Sequence, residues 1–250
     1  MPMTTSTATA AQSRTSGCQR GFSLVELAIV LIILGLLVSS LMPPLTAQIE
    51  QRNYNETQRQ LNEIREALLG FAVTRGRLPR PATSLADGSE NPVDCASEAD
   101  CTGYIPWTTL GVKKTDAWNK MIRYSVTPVY AKNGVPFKLS DDGSKKVQTR
   151  DSAGITSYLI GAAGACASSP CAPAVILSFG RNNWGTMADG TAIADGSTTN
   201  VDEDVNAAAT TVFFSRDPSR VPNGGEFDDI VAWLPPHVLF NRMIAAGKLP

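Results

Sequence analysis

GFSLVELAIVLIILGLLVSSLM, residues 21–42, is the stretch of sequence that decides the architecture of this chain. The residues after Gly21 carry a single charge, that of Glu26. As an α-helix with a rise of about 1.5 Å per residue, they would extend over about 30 Å, the thickness of a bilayer core. We therefore predict a transmembrane helix at residues 22–42. It is preceded by a leader, residues 1–21, that contains arginines and no acidic residue.

Glu26 is the unusual residue of this helix. A carboxylate in a membrane helix costs up to roughly 2.5–3.5 kcal/mol at the centre and less near the end, so its presence indicates a function and a partner. If the chain were cut after Gly21, the new α-amino group of Phe22 would be the nearest positive charge. In an assembly, Glu26 of one helix could then neutralise the amine of the next.

The order of Gly21, Phe22 and Glu26 before an uninterrupted apolar run resembles the cleavage and methylation motif of type IV prepilins and type II secretion pseudopilins. The resemblance implies that a prepilin peptidase cuts between Gly21 and Phe22, that Phe22 becomes N-methylated, and that the helix forms the core of a filament. The alternatives are a plain signal anchor or a secretory signal peptide. A secretory signal is cut after its apolar segment and not before it.

The helix is expected to continue beyond the membrane as an amphipathic segment, residues 43–78, with apolar residues from Ile49 to Phe71 near helical spacing. Pro43 and Pro44 remove two backbone donors, so we predict a break in the helix there. The resemblance implies a segment that unwinds during assembly, and a simple junction between anchor and domain is the alternative. The sequence GRLPRP, residues 76–81, is expected to end the helix.

Residues 79–250 are expected to form one globular periplasmic domain. The predicted fold class is α+β and pilin-like, with a long N-terminal helix packed on an antiparallel β-sheet and a loop-rich insertion. A short C-terminal helix is expected after Pro235 and Pro236. The strand candidates are residues 121–127, 137–140, 157–160, 174–179, 211–215 and 230–234.

The cysteines indicate disulfides in an oxidising periplasm. Cys18 lies in the leader, which leaves two close pairs, Cys95 with Cys101 and Cys166 with Cys171. Each pair would close a short loop with no other cysteine between its members. The alternative is a four-thiolate zinc site, whose knuckles usually have two to four intervening residues, whereas these pairs have five and four.

Two further segments resemble the loops that hold calcium in major pseudopilins: residues 177–183, LSFGRNN, and residues 222–233, PNGGEFDDIVAW. The resemblance implies Asp228 and Asp229 as ligands, with Glu226 and the Leu177 carbonyl as weaker candidates. About forty residues separate the two segments, and this insertion either adds ligands or removes the site. The alternative is a solvated acidic loop whose aspartates cap turns. The insertion itself contains several acidic residues: Asp189, Asp195, Asp202, Glu203 and Asp204.

Composition and motifs favour a structural role over an enzymatic one. The formal net charge of −1 indicates no nucleic-acid partner. His237 is the only histidine, and no phosphate loop or nucleophile motif accompanies it. We expect no enzyme, but a subunit of a type IV pilus or type II secretion pseudopilus, more specifically a minor pilin or pseudopilin.

The expected partners are the prepilin peptidase, other pilin or pseudopilin subunits, the inner membrane and the assembly platform. The expected location is the inner membrane, with one membrane pass and a periplasmic domain, and then the filament. The alternative function is a membrane-anchored periplasmic binding or adhesion protein that does not assemble into a filament.

Overall fold

The structure is a computed structural model that describes residues 22–166, 170–208, 211–219 and 225–249, without the side chains of residues 38–45. The leader and Gly21 lie outside the described residues. The chain divides into two units, one up to Gln48 and one from Ile49 onward.

In the first unit, the chain forms the first part of helix α1, Leu24–Arg75. Its large side chains are apolar and exposed all around the helix, with exposed fractions between 46% and 90%. They are Leu24, Val25, Leu27, Ile29, Val30, Leu31, Ile32, Ile33, Leu34, Leu36 and Leu37. A helix that is apolar on every side is normally covered by protein or lipid.

Helix α1 continues through residues 43 and 44, so the break predicted at Pro43 and Pro44 is not present in the backbone. Each proline removes a single N–H donor, and the bonds of the neighbouring turns can maintain the helix. No helix in the described part of the chain is long and apolar enough to cross a membrane. The predicted transmembrane segment, residues 22–42, ends among the residues whose side chains are not described.

In the second unit, the remainder of α1 is amphipathic, as predicted. Leu61, Ile64 and Leu68 are buried, whereas Ile49 is exposed. The helix ends at Arg75 because Gly76 adopts a left-handed conformation with φ of 74° and donates its N–H to the Ala72 carbonyl at 2.7 Å.

Four strands form the main sheet, which is antiparallel throughout: β1, Thr102–Tyr104; β2, Arg123–Val126; β5, Ala174–Ser178; and β7, Ile230–Leu234. Their order in the sheet is β1-β2-β5-β7. The remaining helices are α2, Trp107–Leu110; α3, Pro128–Ala131; α4, Val201–Ala208; and α5, Pro236–Ala245.

The main core lies between α1 and this sheet. Leu61, Ile64 and Leu68 of α1 share one buried cluster with Tyr124 of β2 and Ile176 of β5. Helix α5 closes the cluster with Leu239 and Met243. The fold class is therefore α+β, as predicted, and its arrangement of a long N-terminal helix and an antiparallel sheet is consistent with the pilin-like fold.

A second sheet was not predicted. It contains β3, Lys146–Arg150; β4, Thr156–Ile160; and β6, Val212–Phe214, in the order β4-β3-β6. Strands β3 and β6 are parallel, so the sheets of this domain are not entirely antiparallel. Val147, Val175 and Phe213 form a small buried cluster that joins the second sheet to β5.

The strand predicted at residues 137–140 is wrong. Phe137 is buried beside Tyr130, with ring centroids 4.8 Å apart, and Phe240 packs on both rings. Its apolar character reflects this aromatic cluster and not a place in a sheet. The polar strand β3 and the three-residue strand β1 were missed, because neither shows apolar alternation long enough to stand out.

Candidate functional site

The predicted processing motif lies at the start of α1. Phe22 precedes the helix and is 79% exposed. The N–H of Glu26 donates to Ser23 Oγ at 3.1 Å, so Ser23 caps the helix. Ser23 and Glu26 have the spacing of a capping box, and a carboxylate in the first turn is stabilised by the helix dipole. Glu26 therefore has a local role in addition to any role between subunits.

Both predicted cysteine pairs are disulfides. Cys95 is bonded to Cys101, with Cα atoms 5.2 Å apart, immediately before β1. Cys166 is bonded to Cys171, with Cα atoms 5.4 Å apart, shortly before β5. Because these four sulfur atoms are bonded in pairs, they do not form the alternative four-thiolate zinc site. Cys18 lies outside the described residues.

Two of the predicted metal ligands, Asp228 and Asp229, belong to a group of buried and half-buried charges that we call the polar loop cluster: Asp116, Lys120, Glu203, Asp228 and Asp229. Asp116 and Lys120 lie in the turn before β2, Glu203 lies on α4 of the insertion, and the two other aspartates precede β7. One carboxylate oxygen from each of Glu203, Asp228 and Asp229 lies within 4.8 Å of the other two.

Asp116 organises the turn before β2. Its Oδ1 accepts the backbone N–H groups of Trp118 and Lys120, both at 2.9 Å, and its Oδ2 accepts the Ser178 hydroxyl at 2.6 Å. The next residue, Ala117, donates its N–H to Thr57 Oγ1 of α1 at 3.2 Å. Burial raises the pKa of Asp116, while these hydrogen bonds oppose the rise. The turn is thereby fixed to both α1 and β5, and it directs the Lys120 side chain inward.

The ammonium group of Lys120 lies among backbone carbonyls. The side chain is buried, and Nζ donates to the carbonyls of Phe179 at 3.2 Å and Asn183 at 2.8 Å, and also to that of Asn182. Burial lowers the pKa of Lys120, and the nearby carboxylates, led by Asp228 and Asp116, oppose this effect. One lysine thus binds three oxygens of a single loop.

This loop, residues 179–183, packs directly on the segment before β7. Gly180 has φ of 54°, and a Cβ atom there would lie 2.3 Å from the Asp228 carbonyl, so only glycine fits. The Asn182 N–H donates to Asp228 Oδ2 at 2.8 Å. The loop is therefore held by both Lys120 and Asp228.

The acidic residues of the insertion bind protein donors. Glu203 accepts the Asp228 N–H at 2.7 Å and the side-chain amides of Asn183 and Asn200 at 3.0 and 3.1 Å. Asp202, fully buried, forms ion pairs with Arg150 and Arg216, each at 2.8 Å. The others accept hydrogen bonds from nearby groups: Asp189 from Thr191, Asp195 from Ser197 and Asn200, and Asp204 from Trp184. Most of these bonds hold the insertion together internally, and those of Asp202 to Arg150 and of Glu203 to Asp228 join it to the rest of the domain.

The fold brings only some of the expected calcium ligands together. Asp228 and Asp229 do come together, but their acidic neighbour is Glu203, whereas Glu226 accepts the Asn182 side-chain amide at 2.9 Å. Leu177 lies inside β5, between β2 and β7. Burial raises the pKa of Asp228 to about 6 and that of Asp229 well above its usual range.

A calcium ion needs six to eight oxygen ligands. Asp228 Oδ1 is buried and has no hydrogen-bond partner among the described residues, whereas Asp229 Oδ2 accepts the Asn206 side-chain amide at 2.8 Å. Glu203 uses both of its oxygens for protein donors, and the loop carbonyls are bound to the Lys120 ammonium. The residues present therefore do not fit a calcium site of the expected composition.

Sequence reasoning missed the roles of Lys120 and Glu203. The sequence indicated no role for Lys120, and Glu203 was one of several acids in the insertion. The two residues are 83 positions apart in the sequence, so only the folded structure shows that they belong to one cluster. His237 lies in the first turn of α5 and is exposed.

A surface groove lies beside this cluster, between the β1–β2 end of the main sheet and the insertion. Its volume is about 510 Å³, within the usual range of ligand sites. Its lining includes the aromatic residues Tyr104, Phe179 and Trp184 together with Arg123. The Arg123 guanidinium donates to the Asn206 carbonyl at 2.8 Å, which fixes α4 against the sheet.

No curated protein and no solved structure matches this chain. A family model described as the prokaryotic N-terminal methylation motif matches residues 17–42, which include Gly21, Phe22 and Glu26. Proteins with this motif are generally structural and not enzymatic, and the motif implies processing by a prepilin peptidase and assembly with other pilin subunits. The chain therefore carries, at residues 17–42, the signature of type IV prepilin and pseudopilin-like proteins.

Proposed function

We propose that this protein is a structural subunit of a type IV pilus or a type II secretion pseudopilus. The prepilin peptidase cuts after Gly21, Phe22 is N-methylated, and the processed subunit enters the filament through the first part of α1. Before assembly, this segment anchors the subunit in the inner membrane, with the domain in the periplasm.

The observation that carries this proposal is the coupling of the methylation motif to a helix whose apolar side chains are exposed on every side. Fully burying a leucine, isoleucine or valine side chain contributes about 1.5–3 kcal/mol. The segment therefore gains stability from covering by lipid or by the same segment of neighbouring subunits. A filament core of packed helices would provide that covering after the subunit leaves the membrane.

Glu26 supplies the specific contact in this proposal. In an apolar helix bundle its charge needs a partner, and the Phe22 amine of the adjacent subunit is a suitable one. Pairing of these two groups would set the axial register between subunits. Apolar packing alone would leave that register poorly defined.

The test separates this charge from the local capping role of Glu26. Glu26→Gln keeps the capping-box residue type and removes the charge, whereas Glu26→Ala removes both. Glu63→Gln, at an exposed position of the same helix, is the matched control. We expect both Glu26 variants to lose the protein from sheared surface filaments, and the control to retain it.

N-terminal processing is measured on the same samples, so that cleavage and assembly are scored separately. Filaments with wild-type levels of Glu26→Gln would contradict a role for the charge. Wild-type levels of both Glu26 variants would contradict assembly through this residue altogether.

Within the family, a minor pilin or pseudopilin fits better than a main structural subunit. The domain carries the long insertion, residues 181–225, and α4 joins it to the rest of the domain through the Asp202–Arg150 ion pair and the hydrogen bond from the Asp228 N–H to Glu203. Such an elaborated surface suits a subunit present in few copies.

The second candidate is the anchored binding or adhesion protein, and the groove lined by Tyr104, Phe179 and Trp184 favours it. The Glu26→Gln variant distinguishes the two candidates, because an anchored binding protein would keep its surface level and its function without this charge. Loss of the protein from sheared filaments would support the subunit proposal instead.

A further inference from the structure

We infer that Lys120 is the built-in cation of the polar loop cluster, so that this domain needs no bound calcium to order the loop at residues 179–183. The inference concerns the fold of the domain and does not depend on the proposed function.

The geometry around the ammonium group is that of a cation site. Its three acceptors are backbone carbonyls of Phe179, Asn182 and Asn183, which converge on one point from one short loop. Converging carbonyls of a loop are the oxygens that a hard cation would otherwise bind. An ammonium carries three N–H donors, and this one uses each of them on a carbonyl.

The surrounding charge matches that cation. Asp228 and Asp229 precede β7, and Glu203 reaches the same place from α4, so that three carboxylates lie together beside the loop. Asp228 also accepts the Asn182 N–H at 2.8 Å. The loop is therefore fixed between a lysine and an aspartate, and residue 182 contacts both.

Lys120 is positioned for this role by its own turn. Asp116 Oδ1 accepts the Lys120 N–H at 2.9 Å, and Asp116 N–H donates to the Lys120 carbonyl at 2.9 Å. This turn is joined to Ser178, which lies immediately before the loop that Lys120 binds. A positive charge attached to the chain in this way would also repel a divalent ion from the adjacent carboxylates.

The effect of calcium on the thermal stability of the full-length purified protein tests the inference. Thermal unfolding is followed in EGTA and in calcium chloride, and calcium binding is measured by isothermal titration calorimetry. We expect the unfolding midpoint of the wild type to be the same in both solutions, and we expect the titration to show no saturable binding of calcium. A midpoint that calcium raises and EGTA lowers would overturn the inference, as would saturable calcium binding.

The variant Lys120→Met keeps the length of the side chain and removes the charge. We expect it to lower the midpoint by about 5 °C or more, because it leaves buried carbonyls and carboxylates without their cation. Lys138→Met, at an exposed lysine, is the matched control and is expected to leave the midpoint unchanged. Equal midpoints for Lys120→Met and wild type would refute the role of Lys120. If Lys120→Met does not fold, the two wild-type calcium measurements still decide the question.

Discussion

Replacing Leu68 with alanine tests whether the second part of α1 is the structural centre of the domain. Leu68 is fully buried in the cluster that α1 shares with β2 and β5. Leucine-to-alanine changes at such positions cost about 2.7–5.0 kcal/mol, from lost transfer energy and the cavity that remains. For a domain of this size, each kcal/mol shifts the unfolding midpoint by about 2–4 °C. We therefore expect a loss of about 5–20 °C.

The assay is thermal unfolding of the full chain, followed by tryptophan fluorescence. The chain has four tryptophans, and all of them lie in the unit that begins at Ile49. Ile49→Ala is the matched control, because Ile49 is 57% exposed on the same helix. It is expected to change stability by no more than about 0.5 kcal/mol. Equal effects of the two variants would refute the packing of α1 on the sheet as the source of stability.

Two further predictions concern an ion pair that follows α1 and a disulfide that precedes β1. The Arg77 guanidinium donates to both carboxylate oxygens of Glu90, at 2.8 and 2.7 Å. Burial raises the pKa of Glu90, but the hydrogen bonds from Arg77 and from the Arg80 N–H outweigh this effect, so the pKa is lowered. A lowered folded pKa gives stability that is present above the unfolded value of about 4.3 and is lost as pH falls through the folded value. Glu90→Gln should therefore destabilise the protein to urea at pH 7 and much less at about pH 3, and an equal loss at both pH values would contradict the ion pair. Removing the Cys95–Cys101 disulfide with a double serine variant should cost about 2 kcal/mol by loop entropy, read from the urea midpoint, and an unchanged midpoint would contradict its structural role.

The features that the sequence predicted well are local ones. The motif at Gly21–Glu26, the helix end before Gly76 and the two cysteine pairs each depend on residues close together in the chain. Such features depend on backbone preferences and short loop closure, which few tertiary contacts can override. Five of the six strand candidates also coincide with observed strands, because β-branched and aromatic residues favour strands.

The features that it did not predict are tertiary ones. Nothing adjacent to Lys120 indicates that its ammonium would meet the carbonyls of residues 179–183, or that Glu203 would join Asp228. Strand β3 is polar, and it pairs with β4 after a short turn and with β6, which lies in the insertion. Apolar periodicity cannot identify such elements, since polar residues define them.

The central claim is that this chain is processed and assembled as a prepilin-like subunit, and the most direct test is the intact mass of the protein in membrane and sheared surface fractions of its native host. The account predicts a chain that begins at N-methylated Phe22 and is present in the sheared filaments. An uncut chain that begins at Met1 and occurs only in membranes would contradict it.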